Sequence, residues 1–422
     1  VNAAAIQTRT VRLLFTTQII GGIGVSIGIT VGALLAARLG GTGISGLAQS
    51  CGVIGGALIA IPVTRIMQAR GRRLGLVTAY ALGALGGLLV IVAAVTRSVP
   101  LLFAGMLLFG GGTAANLQAR YAAVDLAEPT RRGRQLSLVV WATTIGAVVA
   151  PNFADSADEA VDGFGLPPLT GPFVVSALAF AVASAVLLLF LRPDPLLTAR
   201  RLARTPATSG TTAAGGLRAA GAVVRRLPGA RLGASAVAVG HLVMVGVMAM
   251  TPVHLGESHG DADVLRVVGI VLSLHIAGMY ALSPIVGWLT DRLGSRAVIL
   301  VGAGLLLSAC AVAGTAGHDT PRLSVGLVLL GLGWSATMVA GSTLLSASVP
   351  LAVRPAAQGL SDMMMGLAGA SAGAVSGLVV DTSGYPTLNL LAAIAIVPLV
   401  ALALRPVPAV PVSGDAVPVK GE

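Results

Sequence analysis

Ionisable and polar side chains set inside long apolar runs are the groups in this chain that can do chemistry. Asp362 is the one carboxylate within such a run, about 12 Å of helix rise beyond Arg354, with Gln358 one turn before it. His275 and His241 lie near the middle of two other runs. Such groups are costly in an apolar helix, so they are expected to be paired or used. Asp362, His275 and His241 are therefore candidates for taking up and releasing protons. The alternative for each is structural: an ion pair for Asp362, a hydrogen-bonded packing role for the histidines. Gln18, Gln49, Asn116, Trp141, Tyr280 and Gln358 are polar or amphipathic residues in similar surroundings, and they are candidates to line a cavity. Asn116 and Arg120 are one helical turn apart and share a face. Arg120 is expected to reach the headgroups or to pair with Asp125. Met363-Met-Met365 suits adaptable apolar packing or a permissive pocket wall. No spacing of His, Cys, Asp and Glu suits a metal, and Cys51 and Cys310 sit in apolar runs as small hydrophobes.

Only long apolar helices can hold these groups. Of 422 residues, 55% are hydrophobic and 10% charged, against about 25% charged in soluble domains. The mean hydropathy is +0.91. A soluble enzyme, a nucleic-acid-binding domain and a disordered chain are excluded by this composition, and a membrane β-barrel would show short alternating segments instead. The runs predict twelve all-α spans over 13–37, 43–64, 74–96, 99–121, 135–154, 170–191, 232–254, 264–289, 297–316, 322–346, 356–380 and 386–404. The first is too long for a signal-peptide core and is expected to be retained.

Charge sets the expected orientation. With both termini cytoplasmic, only Arg38, Arg97, Arg266 and Arg322 of the 27 Lys and Arg fall outside. Acids run the other way, with Asp155, Asp158, Glu159 and Asp162 in one outer connection and Glu257, Asp261 and Asp263 in another. The positive-inside rule favours this arrangement. The net charge of +11 is thus a topology signal and an attraction to anionic lipid, not a nucleic-acid footprint. Four regions are expected: an N-terminal six-helix bundle over 1–191, a basic cytoplasmic linker over 192–231, a C-terminal six-helix bundle over 232–405 and a cytoplasmic tail over 406–422. In the linker, Leu217, Val223, Val224 and Leu227 alternate with Arg218, Arg225 and Arg226, as in a basic helix on the inner membrane surface or a disordered basic segment.

The two bundles repeat one another. Arg131-Arg-Gly-Arg-Gln135 answers Arg354-Pro-Ala-Ala-Gln358, Leu108-Phe-Gly-Gly-Gly112 answers Leu330-Gly-Leu-Gly-Trp334, and Arg70-Gly-Arg-Arg73 answers Leu293-Gly-Ser-Arg296, all near one offset. Paired repeats around a central site are a transporter architecture.

Between the eighth and ninth spans stands Gly287-Trp-Leu-Thr-Asp291-Arg292-Leu-Gly294-Ser-Arg296. It resembles the cytoplasmic signature of the major facilitator superfamily, Gly-x-x-x-Asp-Arg-x-Gly-x-Arg. The resemblance implies a gating loop in which Gly294 turns, Asp291 meets an arginine or a helix N-terminus, and the arginines reach the headgroups. The matching first-half segment ends Gln68-Ala-Arg70-Gly71-Arg72-Arg73, with Gln68 where the signature has Asp, so that latch is expected to be weakened. Asp125-Leu-Ala-Glu128-Pro-Thr-Arg131-Arg-Gly-Arg134 resembles the family's acidic-then-basic gating loop. Gly146-Ala-Val-Val-Ala150-Pro151 resembles the bend element of its drug–proton antiporter branch, where proline removes a helix hydrogen bond. That branch carries an arginine in the fourth span where this chain has Met106.

The expected protein is a bacterial multi-pass inner-membrane transporter working by alternating access, with proton-coupled efflux of apolar or drug-like compounds preferred. Proton-coupled metabolite uptake and a non-transporting sensor or scaffold are the alternatives. Its expected partners are a small-molecule substrate, protons and membrane lipid. No cofactor is expected: Gly110-Gly-Gly112 lacks the Lys-Ser/Thr of a phosphate loop, and the chain is expected to be monomeric and not an enzyme.

Overall fold

Runs of Leu, Val, Ala and Gly without acids leave the backbone one way to satisfy its hydrogen bonds in lipid, which is within each helix. The computed structural model describes residues 3–40, 45–149, 154–203, 213–256 and 261–405, and no strand occurs among them. The first half holds α1 (Ala3–Gly40), α2 (Ser45–Arg70), α3 (Arg72–Thr96), α4 (Val99–Ala122), α5 (Arg132–Val149), the short α6 (Ala154–Asp162) and α7 (Gly171–Phe190). The connection carries α8 (Pro195–Leu202) and α9 (Ala213–Arg226). The second half holds α10 (Pro228–Gly256), α11 (Asp261–Tyr280), α12 (Ser283–Leu293), α13 (Ser295–Gly314), α14 (Thr320–Ser348) and α15 (Arg354–Leu404).

Ten of the described helices or helix runs are long and apolar enough to cross a membrane. One of them, α15, has 51 residues, about 75 Å at helical rise, against a hydrocarbon core of about 30 Å. Gly384, at φ 81 and ψ 167, divides it into two crossings. Counted with α5, whose first turn carries Arg132 and Arg134, the crossings among the described residues number twelve. The span expected over 264–289 is interrupted. Helix α11 ends at Tyr280 and α12 restarts at Ser283, because Pro284 has no N–H to continue the ladder and disfavours helical backbone before it. The bend expected at Pro151 lies outside the described residues.

The repeat is present in three dimensions. Gly71 and Gly294 both turn with positive φ, 91° and 86°, at equivalent junctions before α3 and α13. In the first half α3 packs on α4 and α7, and α1 on α5 and α7; in the second α13 packs on α14, and α10 on α14 and α15. The first half encloses an apolar core of its own, and the core of the second half takes in Val124, Ala127, Leu136 and Val140 from the first. The halves meet along two seams, α2 against α15 and α5 against α12. Both seams lie toward the side on which α1 begins and α15 ends, termed here the terminal side. Glycine sets how closely they approach. A Cβ at Gly359 of α15 would lie 2.6 Å from Thr64 Cγ2 of α2.

The linker is partly helical. Ala220 and Val224 of α9 are buried against Ala230, Ala234, Leu345, Val349, Ala356 and Ala357 of the second half, while Arg218, Arg225 and Arg226 stay exposed. Of the two readings of the alternation the helix is the one seen, and part of its apolar face is covered by protein and not by lipid.

Candidate functional site

The last turn of α4 reads Gln118-Ala-Arg120-Tyr121 and faces the start of α15. A guanidinium in an apolar interior requires an opposite charge and filled hydrogen bonds. Arg120 Nη2 lies 2.5 Å from Asp362 Oδ1, with both side chains buried. Gln118 Nε2 donates to Asp362 Oδ2 at 2.7 Å, the Tyr121 hydroxyl donates to Oδ1 at 3.4 Å, and the Tyr121 ring lies 4.7 Å from the guanidinium carbon. The pair therefore joins the two halves of the molecule.

This finding corrects the expected pairing of Arg120 with Asp125. Arg120 shares the face of Asn116 and points into the bundle, whereas Asp125 lies past the end of α4 and is taken by Arg72. Arg72 Nε and Nη2 meet the two Asp125 oxygens at 2.7 and 3.2 Å, and Nη2 also donates to Gln358 Oε1 at 2.6 Å. Gln358 in turn donates to Ser346 Oγ at 3.0 Å. Asp362 is bonded by Gln118, while Gln358, one turn before it and a candidate for the cavity, belongs to the Arg72 network and is not among the cavity-lining residues. Gln118 also accepts from Arg72 Nη1 at 3.4 Å and so links the two ion pairs.

Above the pair, away from the terminal side, lies a cavity of about 330 Å³ between the halves. Gln18 and Asn116 of the first half line it, facing His241, Tyr280 and Trp334 of the second, with Arg120 and Asp362 at its floor. The Tyr80 hydroxyl donates to Asn116 Oδ1 at 2.7 Å and holds that carboxamide in place. Trp334 Nε1 donates to His241 Nδ1 at 3.1 Å, and the Tyr280 ring meets Trp334 edge-on at 5.5 Å between centroids. Met106, standing where the antiporter arginine would be, is an apolar wall residue here.

Not every candidate reaches this space. His275 is buried between α11 and α14, with Nδ1 2.8 Å from the Leu327 carbonyl oxygen, and it is not among the cavity-lining residues. Trp141 stacks on Phe15 at 5.9 Å. The side chain of Gln49 lies outside the described residues. Gly146 packs its Cα against Gly22 and Ile23 of α1, where a Cβ would meet backbone at 2.5 Å.

The gate motif occupies the α5–α12 seam. Asp291 accepts from the backbone N–H groups of Gly133 at 2.7 Å and Arg134 at 2.9 Å, thereby capping the first turn of α5 across the seam. Gly287 packs directly on Gly133 and Ser137. Arg292 stacks over Trp288 at 5.2 Å. Arg296 donates to the Ala403 carbonyl, and at 2.5 Å to that of Arg405, closing the end of α15. Arg131 meets Glu128 at 3.6 Å with both side chains 69% exposed, a geometry that contributes little. Arg73 offers its backbone N–H to Asp194 Oδ2 at 2.7 Å. Gln68 makes no side-chain hydrogen bond among the described residues; the α2–α15 seam is tied instead by Arg72 and Gln358. Replacing Asp291 with Asn removes the charge from a helix N-terminus, an interaction worth about 0.3–1 kcal/mol and up to about 2. Solute counterflow in liposomes is expected to slow about three- to tenfold with an unchanged melting temperature; wild-type flux would remove the latch.

Sequence reasoning missed Gln118, Tyr121, Tyr80 and Trp334. Gln118 and Tyr121 flank Arg120 within one turn, a cluster of polar groups that was legible as a site in its own right. Trp334 was visible only as part of the repeat.

Twelve crossings in two repeated halves around a polar-floored cavity define a secondary transporter. The sequence pattern of the Major Facilitator Superfamily matches residues 13–264 and 234–418, and the chain belongs to that superfamily. It is 39% identical over 388 residues to the uncharacterized MFS-type transporter YddS of Bacillus subtilis, covering 92% of this chain and 88% of the relative. It is 27% identical over 415 residues to the riboflavin transporter RfnT of Brucella anthropi, covering 96% of each. Among solved structures, the human organic anion transporter MFSD10 superposes with a TM-score of 0.75 at 17% identity, covering 94% of this chain and 99% of that one.

Proposed function

We propose that this transporter exports small, largely apolar organic solutes across the bacterial cytoplasmic membrane in exchange for protons. The observation that carries the reading is the Arg120–Asp362 pair, a buried charge pair that both lines the cavity and joins the halves. Protonating Asp362 neutralises one member and weakens the tie that holds the terminal side shut. Solute in the cavity and a proton on Asp362 then act on one equilibrium, which is what coupling requires. His241 is held by Trp334 and serves as a wall residue. With both termini in the cytoplasm, as the arginine distribution favours, the closed seams face inward and the cavity faces outward. The alternating-access partner state breaks both seams. The self-neutralised floor and apolar walls support an uncharged cargo.

The second reading, uptake of a metabolite, is favoured by the name of the Brucella relative, a riboflavin transporter. The non-transporting alternative rested on Gln68, and Arg72 bridging to Gln358 offsets that loss. The test is the purified protein in liposomes with an imposed pH gradient and an internal pH dye. Solute-dependent proton movement is expected, and its sign separates exchange from co-transport. Solute flux with no proton movement would remove the coupling.

A further inference from the structure

The cavity is unbalanced in its hydrogen-bonding groups. Asn116 has its carboxamide oxygen occupied by Tyr80 at 2.7 Å, which leaves its N–H groups to the cavity. His241 accepts the Trp334 indole proton on Nδ1 at 3.1 Å, so a neutral ring carries its own proton on Nε2. The Tyr280 hydroxyl makes no hydrogen bond among the described residues. Arg120 Nε is buried without a partner, and a buried guanidinium N–H left unsatisfied costs free energy.

Acceptors are scarce by comparison. Both Asp362 oxygens are engaged, by Gln118 at 2.7 Å and Arg120 at 2.5 Å. The one Tyr80 proton goes to Asn116, so Gln18 Oε1, 3.4 Å from that hydroxyl oxygen, is left as an amide acceptor toward the space. No free carboxylate faces the space among the described residues, so no counter-ion there rewards an organic cation. The Trp334 ring meets Tyr280 at 76° and is only 4% exposed, so it backs the Tyr280 ring, which stands in the cavity wall. A volume of about 330 Å³ takes a solute of three fused rings.

We propose that the cargo is a neutral, planar heteroaromatic molecule that packs against the Tyr280 ring, backed by Trp334, and presents carbonyl acceptors to the donors of Asn116, His241 and Tyr280. This rests on the transporter reading and gives its cavity a chemical class. Donors fixed by neighbours recognise such an edge at little ordering cost, and an analogue without carbonyls leaves them poorly paired.

The experiment is calorimetric titration of the purified full chain with three probes of similar shape. These are lumichrome, which is neutral and carries carbonyl and ring-nitrogen acceptors; phenazine, which is neutral and lacks carbonyls; and ethidium, a planar cation. Lumichrome is expected to bind at least tenfold more tightly than either of the others. Tyr280→Phe keeps the ring and removes one donor. It is expected to weaken lumichrome about fivefold, the worth of one hydrogen bond, and to leave phenazine unchanged. No lumichrome binding, equal binding of phenazine or ethidium, or an unchanged lumichrome affinity in Tyr280→Phe would each overturn the proposal. Proton-coupled flux of ethidium without lumichrome binding would remove this cargo class and keep the transporter. Lumichrome binding that obeys the variant, without any flux, would keep the site and remove the transport reading.

Discussion

Replacing Asp362 with Asn is expected to leave solute exchange running and to abolish accumulation driven by a pH gradient. Asn keeps the shape of the protonated carboxyl and can still accept from Arg120, but it carries no charge in any state. The variant therefore resembles the proton-loaded carrier permanently. A hydrogen bond to a charged group is worth about 1.5–3 kcal/mol and a neutral one about 0.5–1.5. The tie across the halves should weaken by about 1–2 kcal/mol, a five- to thirtyfold shift toward the state with the terminal side open. Exchange needs only that both states be visited, so its rate should change by less than tenfold. Uphill accumulation needs a proton to be gained on one side and lost on the other, so it should fall at least tenfold. Asp362→Ala is the harsher variant, because it strands Arg120 in the interior at a cost of about 3–5 kcal/mol, and its melting temperature should drop where that of Asp362→Asn does not. Counterflow of labelled solute read beside accumulation in the same liposomes separates the two effects. Undiminished pH-driven accumulation in Asp362→Asn would assign the proton elsewhere.

The sequence made some of this legible and hid the rest for physical reasons. Span positions follow from composition, because lipid tolerates few charges along a helix. The offset between halves was readable in short motifs, and Gly71 and Gly294 carry it into the backbone. Asp362 stood out because an acid in an apolar run is costly. Its partner did not, since Arg120 is 242 residues from Asp362 but only five from Asp125, and nearness in sequence pointed to the wrong acid. Helix rotation was hidden as well. A membrane helix is apolar toward lipid and toward protein alike, so periodicity does not say which face meets the cavity. His241 and His275 were indistinguishable for that reason, and only packing turns one toward Trp334 and the other toward the Leu327 carbonyl. The break before Ser283 was hidden because proline is common within membrane helices.

Gly287→Leu is expected to hold the terminal side open and to stop the cycle. In the closed arrangement a Cβ at Gly287 would already lie 2.5 Å from the Gly133 carbonyl oxygen and 2.6 Å from Ser137 Cβ. These are α5 atoms across the seam, and backbone cannot swing aside as a long side chain can. Overpacking of this kind costs about 1–3 kcal/mol for small additions and sometimes more. Gly287→Ala should therefore shift the balance about 5- to 150-fold toward separation. Leucine adds three further carbons, and about 5.5 kcal/mol is enough to carry a 99:1 preference to its reverse. The first-half core stands apart, but the second-half core includes Leu136 and Val140 of α5, so the melting temperature should fall by several degrees while exchange falls at least a hundredfold. The readout is placed on the other seam. Thr64 is 4% exposed and packs on Gly359, so a Thr64→Cys reporter, with Cys51 and Cys310 replaced by Ser, is shielded while the halves are together. Maleimide labelling from the terminal side should rise at least tenfold in Gly287→Leu. If the halves rock as rigid bodies, a wedge at α5–α12 must also open α2–α15. Labelling that stays low with exchange lost would confine the clash to one seam and remove rigid rocking, and wild-type exchange would show that the α5–α12 contact is no required stage of the cycle.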